Sequence, residues 1–277
     1  MSERNPGVPI WSAHSIIAIR AIIILALLLP ATVLAGDRIE HLVTTATSLS
    51  RTPLPPLNYI RKTCADVLCA ARLIKTHLGP KARLEKITHP DTDTIRRVTS
   101  VPSLSDSKRL PPDTLQFSLD RFGRKAVSEI ETVLSHASGN NKTLPSNITI
   151  NLRNNRGGPL NRMLRVASLF LGPIPNAIKL SGADNEKMLA IPGNKQKLAF
   201  KTLKLIVGPN TASSAEIFAG LLRVHAKALI VGDQTFGKDY LLRMVPVNHD
   251  WRLLVPVEKI SVPGTVIAGG IIPDESF

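Results

Sequence analysis

The feature that most constrains the fold is an apolar run that leads directly into a turn of small residues and a helix start. Residues 205–207 read Leu-Ile-Val, the turn follows at residues 208–214, and Ser213 lies three positions before Glu216. This S-x-x-E spacing is typical of a capping box, in which the two side chains bond to free N–H groups in the first turn of a helix. Alone, the pattern predicts only a strand, a turn and a capped helix.

A second apolar run is followed by a lysine whose spacing from Ser213 indicates a chemical role for this turn. Residues 228–231 lead into Gly-Asp-Gln-Thr-Phe-Gly-Lys, and Lys238 lies 25 positions after Ser213. Two strands joined by a helix can be neighbours in one parallel sheet. The hydroxyl group of Ser213 and the amino group of Lys238 can therefore meet.

Three further motifs accompany this pair in a fixed order. Residues 148–158 read Ile-Thr-Ile-Asn-Leu-Arg-Asn-Asn-Arg-Gly-Gly, residues 261–264 read Ser-Val-Pro-Gly, and residues 270–274 read Gly-Ile-Ile-Pro-Asp. Together the motifs resemble those of the C-terminal processing peptidases, or tail-specific proteases, over about residues 113–275. The resemblance implies a crotonase-like layered α/β protease core, and the alternation of predicted strands and helices also favours an α/β layer structure.

The resemblance also implies a role for each site residue. Ser213 would be the nucleophile and Lys238 its general base, while the backbone N–H of Ser214 and that of Gly157 or Gly158 would bind the oxyanion. A lysine can accept the serine proton only when it is neutral, so burial must lower its pKa. The expected activity is that of a serine endopeptidase that cleaves a polypeptide near its C-terminus, without a cofactor or a metal ion.

Several positions depart from the family pattern. Family members have a glutamine that orients the lysine where this chain has Leu242, a glycine at Asp239 and an aspartate at Asn151. A leucine cannot direct an amino group, so we expect slower turnover. These departures leave open an alternative, an inactive family member that binds a peptide or an apolar ligand in the former cleft.

The peptide-binding PDZ module of most family members is not recognisable. Such a module needs a glycine-containing loop that holds a terminal carboxylate. Residues 81–122 contain no glycine. We therefore expect the module to be absent, which weakens the inference that free C-termini are recognised in the usual way.

The first 35 residues are typical of an exported protein. Arg4 and Arg20 precede a 15-residue apolar run that ends in Val-Leu-Ala at residues 33–35. The run is shorter than the roughly 20 residues of a spanning helix, and its end is similar to a signal-peptidase site. If Arg20 snorkels, residues 16–35 could instead remain as an anchor. Either outcome places the globular part outside the cytoplasm, for example in a periplasm.

The composition and the positions of proline and glycine residues suggest how the remaining chain is divided. We predict a tether at residues 36–56 with a short helix near residues 41–48, a basic helical segment at 57–99, a linker at 100–112 and the core at 113–277. Residues 57–77 have the spacing of one amphipathic helix. On one regular helix Cys64 and Cys69 would point to different sides, so a disulfide would require a break, and we expect two buried thiols.

Within the core, apolar periodicity predicts each element. The predicted strands cover residues 115–119, 148–152, 203–207, 240–247 and 251–257, and the predicted helices cover residues 125–135, 160–171 and 217–225.

The formal net charge of +14 favours an acidic partner, such as a membrane surface or a cell-envelope polymer. General basicity without a partner is an equally good interpretation. Eleven aromatic residues supply few stacking platforms, which argues against single-stranded nucleic acid. His225 and His249 do not have the placement of a base for Ser213, and the oligomeric state is not indicated.

Overall fold

The computed structural model describes residues 35–50, 52–87, 101–138, 143–182, 185–193 and 198–276. Residues 1–34 of the predicted signal peptide or anchor lie outside these ranges. Within them, every helix is too short or too polar to cross a bilayer.

The described residues form six helices and ten strands. The helices are α1 (Ala35–Leu49), α2 (Leu57–Thr63), α3 (Val67–Leu78), α4 (Ala126–Ser138), α5 (Leu160–Leu171) and α6 (Ser214–Ala226). The strands are β1 (Arg83–Lys86), β2 (Leu104–Leu110), β3 (Thr114–Leu119), β4 (Asn147–Asn151), β5 (Ile174–Ser181), β6 (Glu186–Ile191), β7 (Thr202–Val207), β8 (Leu229–Gly232), β9 (Tyr240–Pro246) and β10 (Trp251–Ser261).

One sheet carries the strands that lead into the predicted site. Its order is β2-β3-β4-β7-β8, with β3, β4, β7 and β8 parallel and β2 antiparallel at the edge. Central residues such as Phe117, Ile150 and Leu205 are fully buried, and they share one core with helices α4, α5 and α6. Parallel strands place their carboxyl ends at one edge, so the loops after β4, β7 and β8 open on the same side. The layered α/β prediction is confirmed.

The second sheet is organised around the long strand β10. Strands β1, β5 and β9 pair with β10 in antiparallel fashion, and β6 pairs with β5. Near its end β10 adds Ile260 to the first core, whereas Leu253 and Val255 belong to a second core. The β5–β6 hairpin was not predicted, because the buried residues of β5 do not alternate with exposed ones.

The helix predicted near residues 41–48 is present and covers residues 35–49, but the prediction that this part of residues 36–56 is a tether is wrong. Helix α1 buries Ile39, Leu42, Val43 and Ala46, which have the spacing of one helix face, against the β9–β10 hairpin and α3. The proline-rich end of the stretch, residues 53–56, obscured this amphipathic pattern.

The linker prediction at residues 100–112 is wrong in the same way. Residues 104–110 form β2, an edge strand whose side chains are mostly exposed, so its sequence has no apolar alternation. Glu129 of α4 fixes the start of this strand, since its Oε2 atom accepts hydrogen bonds from the N–H groups of Ser103 and Leu104 at 2.7 and 3.2 Å.

The predicted single helix at residues 57–77 is interrupted, and the prediction of two thiols is also wrong. Helix α2 ends at Thr63, Cys64 is extended, and Asp66 caps α3 by accepting a hydrogen bond from the N–H of Cys69 at 2.7 Å. This break brings the two cysteine Cα atoms to 5.4 Å, and Cys64 and Cys69 form a disulfide. The predicted helical segment also contains β1, while residues 88–99 lie outside the described ranges.

Candidate active site

Ser213 lies where strand β7 turns into helix α6. Thr211 holds the turn, because its hydroxyl group donates to the carbonyl of Leu152 at 2.8 Å and accepts from the N–H of Gly208 at 3.1 Å. The backbone of Ser213 has φ 58° and ψ −124°, a region that residues other than glycine rarely adopt. Strained backbone of this kind concentrates at functional sites, and a serine on a sharp strand-to-helix turn is typical of hydrolytic nucleophiles.

Glu216 connects this turn to the loop that carries Lys238. Its side chain is fully buried, and Oε2 accepts the backbone N–H of Ser213 at 2.8 Å and that of Lys238 at 2.9 Å. Its other oxygen, Oε1, accepts the hydroxyl group of Thr235 at 2.6 Å and the N–H of Gly237 at 2.5 Å. The sequence pattern predicted the helix cap, but it gave no signal for these bonds to the second loop.

Lys238 is half-buried beside this carboxylate. Burial lowers the pKa of the Lys238 amino group, the positive charge of Arg83 lowers it further, and Glu85 and Glu216 oppose the shift. The Nζ atom lies 5.7 Å from the centre of the Tyr240 ring. The direction of the shift is the one that a lysine base requires.

The Gly157-Gly158 turn touches the serine turn directly. A Cβ atom on Gly157, whose φ is 97°, would lie 2.9 Å from the carbonyl oxygen of Ala212 and 3.1 Å from the Cβ atom of Ser213. The hydroxyl group of Ser214 donates to the carbonyl of Gly158 at 3.0 Å. Only glycine permits this close approach between the two backbones.

The backbone N–H groups of Gly157 and Gly158, which are predicted to bind the oxyanion, differ in the hydrogen bonds that they make. The N–H of Gly157 donates to Oδ1 of the buried Asn155 at 2.8 Å. Among the described residues, neither the N–H of Gly158 nor that of Ser214 donates to a protein acceptor. Gly158 is also exposed, so the geometry favours Gly158 over Gly157 as the partner of Ser214; the oxyanion roles themselves stay predictions.

The closing motif of the chain supports the lysine loop. A Cβ atom on Gly237, whose φ is 87°, would lie 2.6 Å from the nitrogen of Gly270. The N–H of Ile271 donates to the hydroxyl group of Thr235 at 2.7 Å, and the same hydroxyl group donates to Glu216. The Gly270–Asp274 segment therefore packs behind the loop that presents Lys238.

The positions that depart from the family pattern have distinct surroundings. Leu242 lies on β9 opposite Pro256. Asn151 has a structural role, since its amide group donates to Ser118 at 3.2 Å and its oxygen accepts the N–H of Arg153 at 3.1 Å. Asp239 is buried, with Oδ1 3.3 Å from Nζ of Lys81. The absence of a PDZ module stays a prediction, because residues 88–100 lie outside the described ranges.

Neither histidine considered as a base belongs to this cluster. His225 lies in the last turn of α6, and burial lowers its pKa. His249 lies in the β9–β10 turn, with Nδ1 3.0 Å from Asp250. In the part of the chain that the structure describes, no group of three His, Cys, Asp or Glu side chains could hold a metal ion.

Sequence comparison identifies relatives for this part of the chain. The model of peptidase family S41 matches residues 114–277. The chain is 30% identical to carboxyl-terminal-processing peptidase 1, chloroplastic, of Arabidopsis thaliana over 131 residues, which are 47% of this chain and 27% of that protein. It is 28% identical to the carboxyl-terminal-processing protease of Picosynechococcus sp. over 202 residues, which are 68% of this chain and 47% of that protein. The chain thus spans less than half of the length of these relatives.

Two solved structures share the fold. The photosystem II D1 C-terminal processing protease superposes with a TM-score of 0.52 and 19% identity, over 72% of this chain and 48% of that protein. A lipoprotein from Streptococcus agalactiae superposes with a TM-score of 0.65 and 16% identity, over 90% of this chain and 93% of that protein.

Proposed function

The chain belongs to peptidase family S41, and on this premise we propose that it is an exported serine endopeptidase in which Ser213 and Lys238 form a catalytic dyad. The observation that carries this proposal is the carboxylate of Glu216, whose Oε2 atom receives the backbone N–H groups of both residues. A nucleophile and its base must be held in one geometry, and a single buried acceptor holds both backbones.

The proposed reaction begins with a proton transfer between the two side chains. The neutral amino group of Lys238 accepts the proton of Ser213 as the serine oxygen attacks the carbonyl carbon of the scissile bond. The N–H groups of Ser214 and Gly158 bind the oxygen that becomes negative. Lys238 then gives its proton to the leaving amine, so the C–N bond breaks and an acyl-enzyme remains.

The second half of the reaction restores the enzyme. Lys238 takes a proton from a water molecule, whose oxygen attacks the ester carbonyl carbon. Collapse of this second intermediate releases the new carboxyl terminus, and Ser213 recovers its proton from Lys238. Acylation and deacylation each begin with a neutral lysine, which is why the lowered pKa of Lys238 supports the proposal.

The proposed substrate is an extended polypeptide that is cut near its C-terminus. The names of the two curated relatives, a carboxyl-terminal-processing peptidase and a carboxyl-terminal-processing protease, support this choice. The positive charge of the chain further suggests an acidic polymer or membrane surface nearby.

Export is supported by two independent features. The apolar run before residue 36 is typical of a signal peptide or an anchor. The Cys64–Cys69 disulfide is of a kind that persists outside the cytoplasm, in a periplasm or another oxidising compartment. N-terminal sequencing of the protein recovered from its native host would show whether the apolar run has been removed.

Cleavage of unfolded casein tests the proposal against its alternative. The purified chain is expected to degrade casein, and the Ser213→Ala variant is expected to be inactive. Equal cleavage by the two proteins, at only a residual rate, would contradict the dyad. It would favour the inactive family member that binds a peptide or an apolar ligand, an alternative motivated by Leu242.

A further inference from the structure

Lys81, which precedes the protease core by more than thirty positions, reaches the two residues that follow Lys238. Its Nζ atom lies 3.3 Å from Oδ1 of Asp239 and 4.8 Å from the centre of the Tyr240 ring. The same ring lies 5.7 Å from Nζ of Lys238. One aromatic ring thus contacts both the proposed base and a lysine of the N-terminal segment.

The Asp239 carboxylate needs this partner. Asp239 is only 4% exposed, and a buried charge is costly unless it is paired. The other cation near it, Lys259 of β10, is more distant, with Nζ 3.9 Å from Oδ2. Of these two lysines, Lys81 is therefore closer to the Asp239 carboxylate, and Asp239 directly follows Lys238 in the chain.

The Tyr240 ring lies beside Lys238 in a chain that lacks the orienting glutamine of the family. The position of that glutamine is Leu242, whose side chain cannot accept or donate a hydrogen bond. A cation over an aromatic ring is attracted by the ring's electron density, so Lys81 favours the observed position of the ring. The ring belongs to the first residue of β9 and lies within reach of both lysine side chains.

The N-terminal segment is firmly attached to the core. Strand β1 pairs with β10 from Arg83 opposite Leu254 to Lys86 opposite Trp251. Helices α1 and α3 pack Ile39 and Ile74 into the second core, which also contains residues of β9 and β10. The position of Lys81, two residues before β1, is therefore set by a sheet that includes the strand after Lys238.

We propose that the N-terminal segment is part of the active site and that Lys81 is a positioning residue. Lys81 directs the Lys238 side chain through Asp239 and Tyr240. This inference rests on the proposed dyad of Ser213 and Lys238. Lys81 does not touch the reacting atoms in this account. The proposal gives the N-terminal segment a positioning role in catalysis.

The charges around Lys238 determine what loss of Lys81 should do. The charged groups that act on the Lys238 amino group are Arg83 and Glu85 of β1, of which Glu85 is paired with Arg252 at 3.0 Å, and Glu216 of α6, and the Tyr240 ring lies 5.7 Å from its Nζ atom. Asp239 is the next residue in the chain, and its carboxylate is paired with Lys81 and Lys259. Removing Lys81 leaves the Asp239 carboxylate less compensated. A negative charge stabilises a nearby ammonium group, so the pKa of Lys238 should rise.

The test measures Lys238 directly, using the full chain. Competitive acetylation at a series of pH values, mapped by mass spectrometry, gives the pKa of Lys238 in the wild type and in Lys81→Met, Lys81→Arg and Lys86→Met. Lys86 is exposed on strand β1, five positions after Lys81, and is the matched charge control. Labelling of Ser213 by a fluorophosphonate over the same pH range gives the reactivity of the nucleophile.

The expected result is specific to Lys81. The pKa of Lys238 should rise by at least about half a unit in Lys81→Met, and labelling at pH 7 should fall at least about threefold. Lys81→Arg, which can still pair with Asp239 and lie over Tyr240, and Lys86→Met should both match the wild type. In Lys81→Met combined with Asp239→Asn the pKa should return toward the wild-type value, since the uncompensated carboxylate is gone.

Each of three outcomes would contradict either the role of Lys81 or the proposed dyad of Ser213 and Lys238. Equal pKa values of Lys238 in Lys81→Met and Lys86→Met would overturn the positioning role, whatever their activity. A lower thermal midpoint of Lys81→Met with an unchanged pKa would assign Lys81 a purely structural role. A wild-type protein that is not labelled at Ser213 would contradict the dyad, while the acetylation would still decide whether Lys81 acts on Lys238.

Discussion

Ser213 and Lys238 donate their backbone N–H groups to one and the same atom, Oε2 of Glu216, at 2.8 and 2.9 Å. The two nitrogens therefore cannot be farther apart than the sum of these two lengths, although 25 residues separate them along the chain. The carboxylate is fully buried and accepts four hydrogen bonds in all. This carboxylate thus joins the nucleophile turn to the lysine loop, and the N–H of Phe236, which donates to the carbonyl of Thr211 at 3.0 Å, is a second link between them.

Replacement of Glu216 by glutamine should destabilise the protein and disable the site. A glutamine side chain has one acceptor oxygen and an NH₂ group that would face at least one backbone N–H donor, so at least one hydrogen bond is lost and a buried donor is left unpaired. We expect the free energy of unfolding to fall by about 2 to 4 kcal/mol, with loss of Ser213 labelling. Denaturant unfolding measures this, with the exposed Glu275→Gln as the control; equal stability of the two variants would contradict the role of Glu216.

The strained backbone at Ser213 should make two inactive variants differ in their stability. Both Ser213→Ala and Ser213→Gly remove the nucleophile, but only glycine adopts φ 58° and ψ −124° without strain. Ser213→Gly is therefore expected to be more stable than Ser213→Ala by about 1 kcal/mol, after the larger entropy of the unfolded glycine chain is subtracted. Thermal unfolding of the two variants checks the order, and a more stable alanine variant would show that the backbone is relaxed.

The half-buried Lys238 should make stability depend on pH. Its folded pKa lies below its ordinary value of 10.5, so the unfolded chain keeps the proton to a higher pH than the folded protein does. The free energy of unfolding should therefore rise with pH between the lowered pKa and 10.5. Lys238→Met should lack this rise and be more stable than the wild type at neutral pH. Parallel stability curves in denaturant would mean that the Lys238 pKa is not lowered.

Restoring the family's glutamine should accelerate turnover. Leu242 lies on β9, the strand that follows the lysine loop. The amide oxygen in Leu242→Gln could orient the Lys238 amino group, so kcat for casein cleavage should increase. Met244→Gln, an exposed position on the same strand, is the control for added polarity. An unchanged kcat in an otherwise active enzyme would show that a glutamine at this position adds nothing to the orientation of Lys238.

Local patterns predicted the elements of the core well, because each signal lies within a few residues. The Leu-Ile-Val run and the Ser213–Glu216 spacing gave β7, the turn and the start of α6. The S-x-x-E pattern describes only the helix cap, however, and the bonds from Glu216 to the lysine loop connect positions 19 to 22 apart. The Lys81–Asp239 pair, 158 positions apart, depends on the pairing of β1 with β10, for which the short strand β1 gives no periodic signal.

The N-terminal segment shows which local signals were misread. Ile39, Leu42, Val43 and Ala46 have the spacing of a buried helix face, and Asp66 three positions before Cys69 is a capping signal for a new helix. Reading this cap would have placed the break that allows the Cys64–Cys69 disulfide. Strand β2 is different, since an exposed edge strand is stabilised by backbone pairing that leaves no apolar alternation in its sequence.

The most direct test of the dyad is fluorophosphonate labelling of the full chain at a series of pH values, with the modified residue mapped by mass spectrometry. The account predicts one adduct on Ser213, whose rate of formation rises with pH through a midpoint below 10.5 and is lost in Lys238→Met. An unlabelled Ser213, or equal labelling in the wild type and in Lys238→Met, would contradict it.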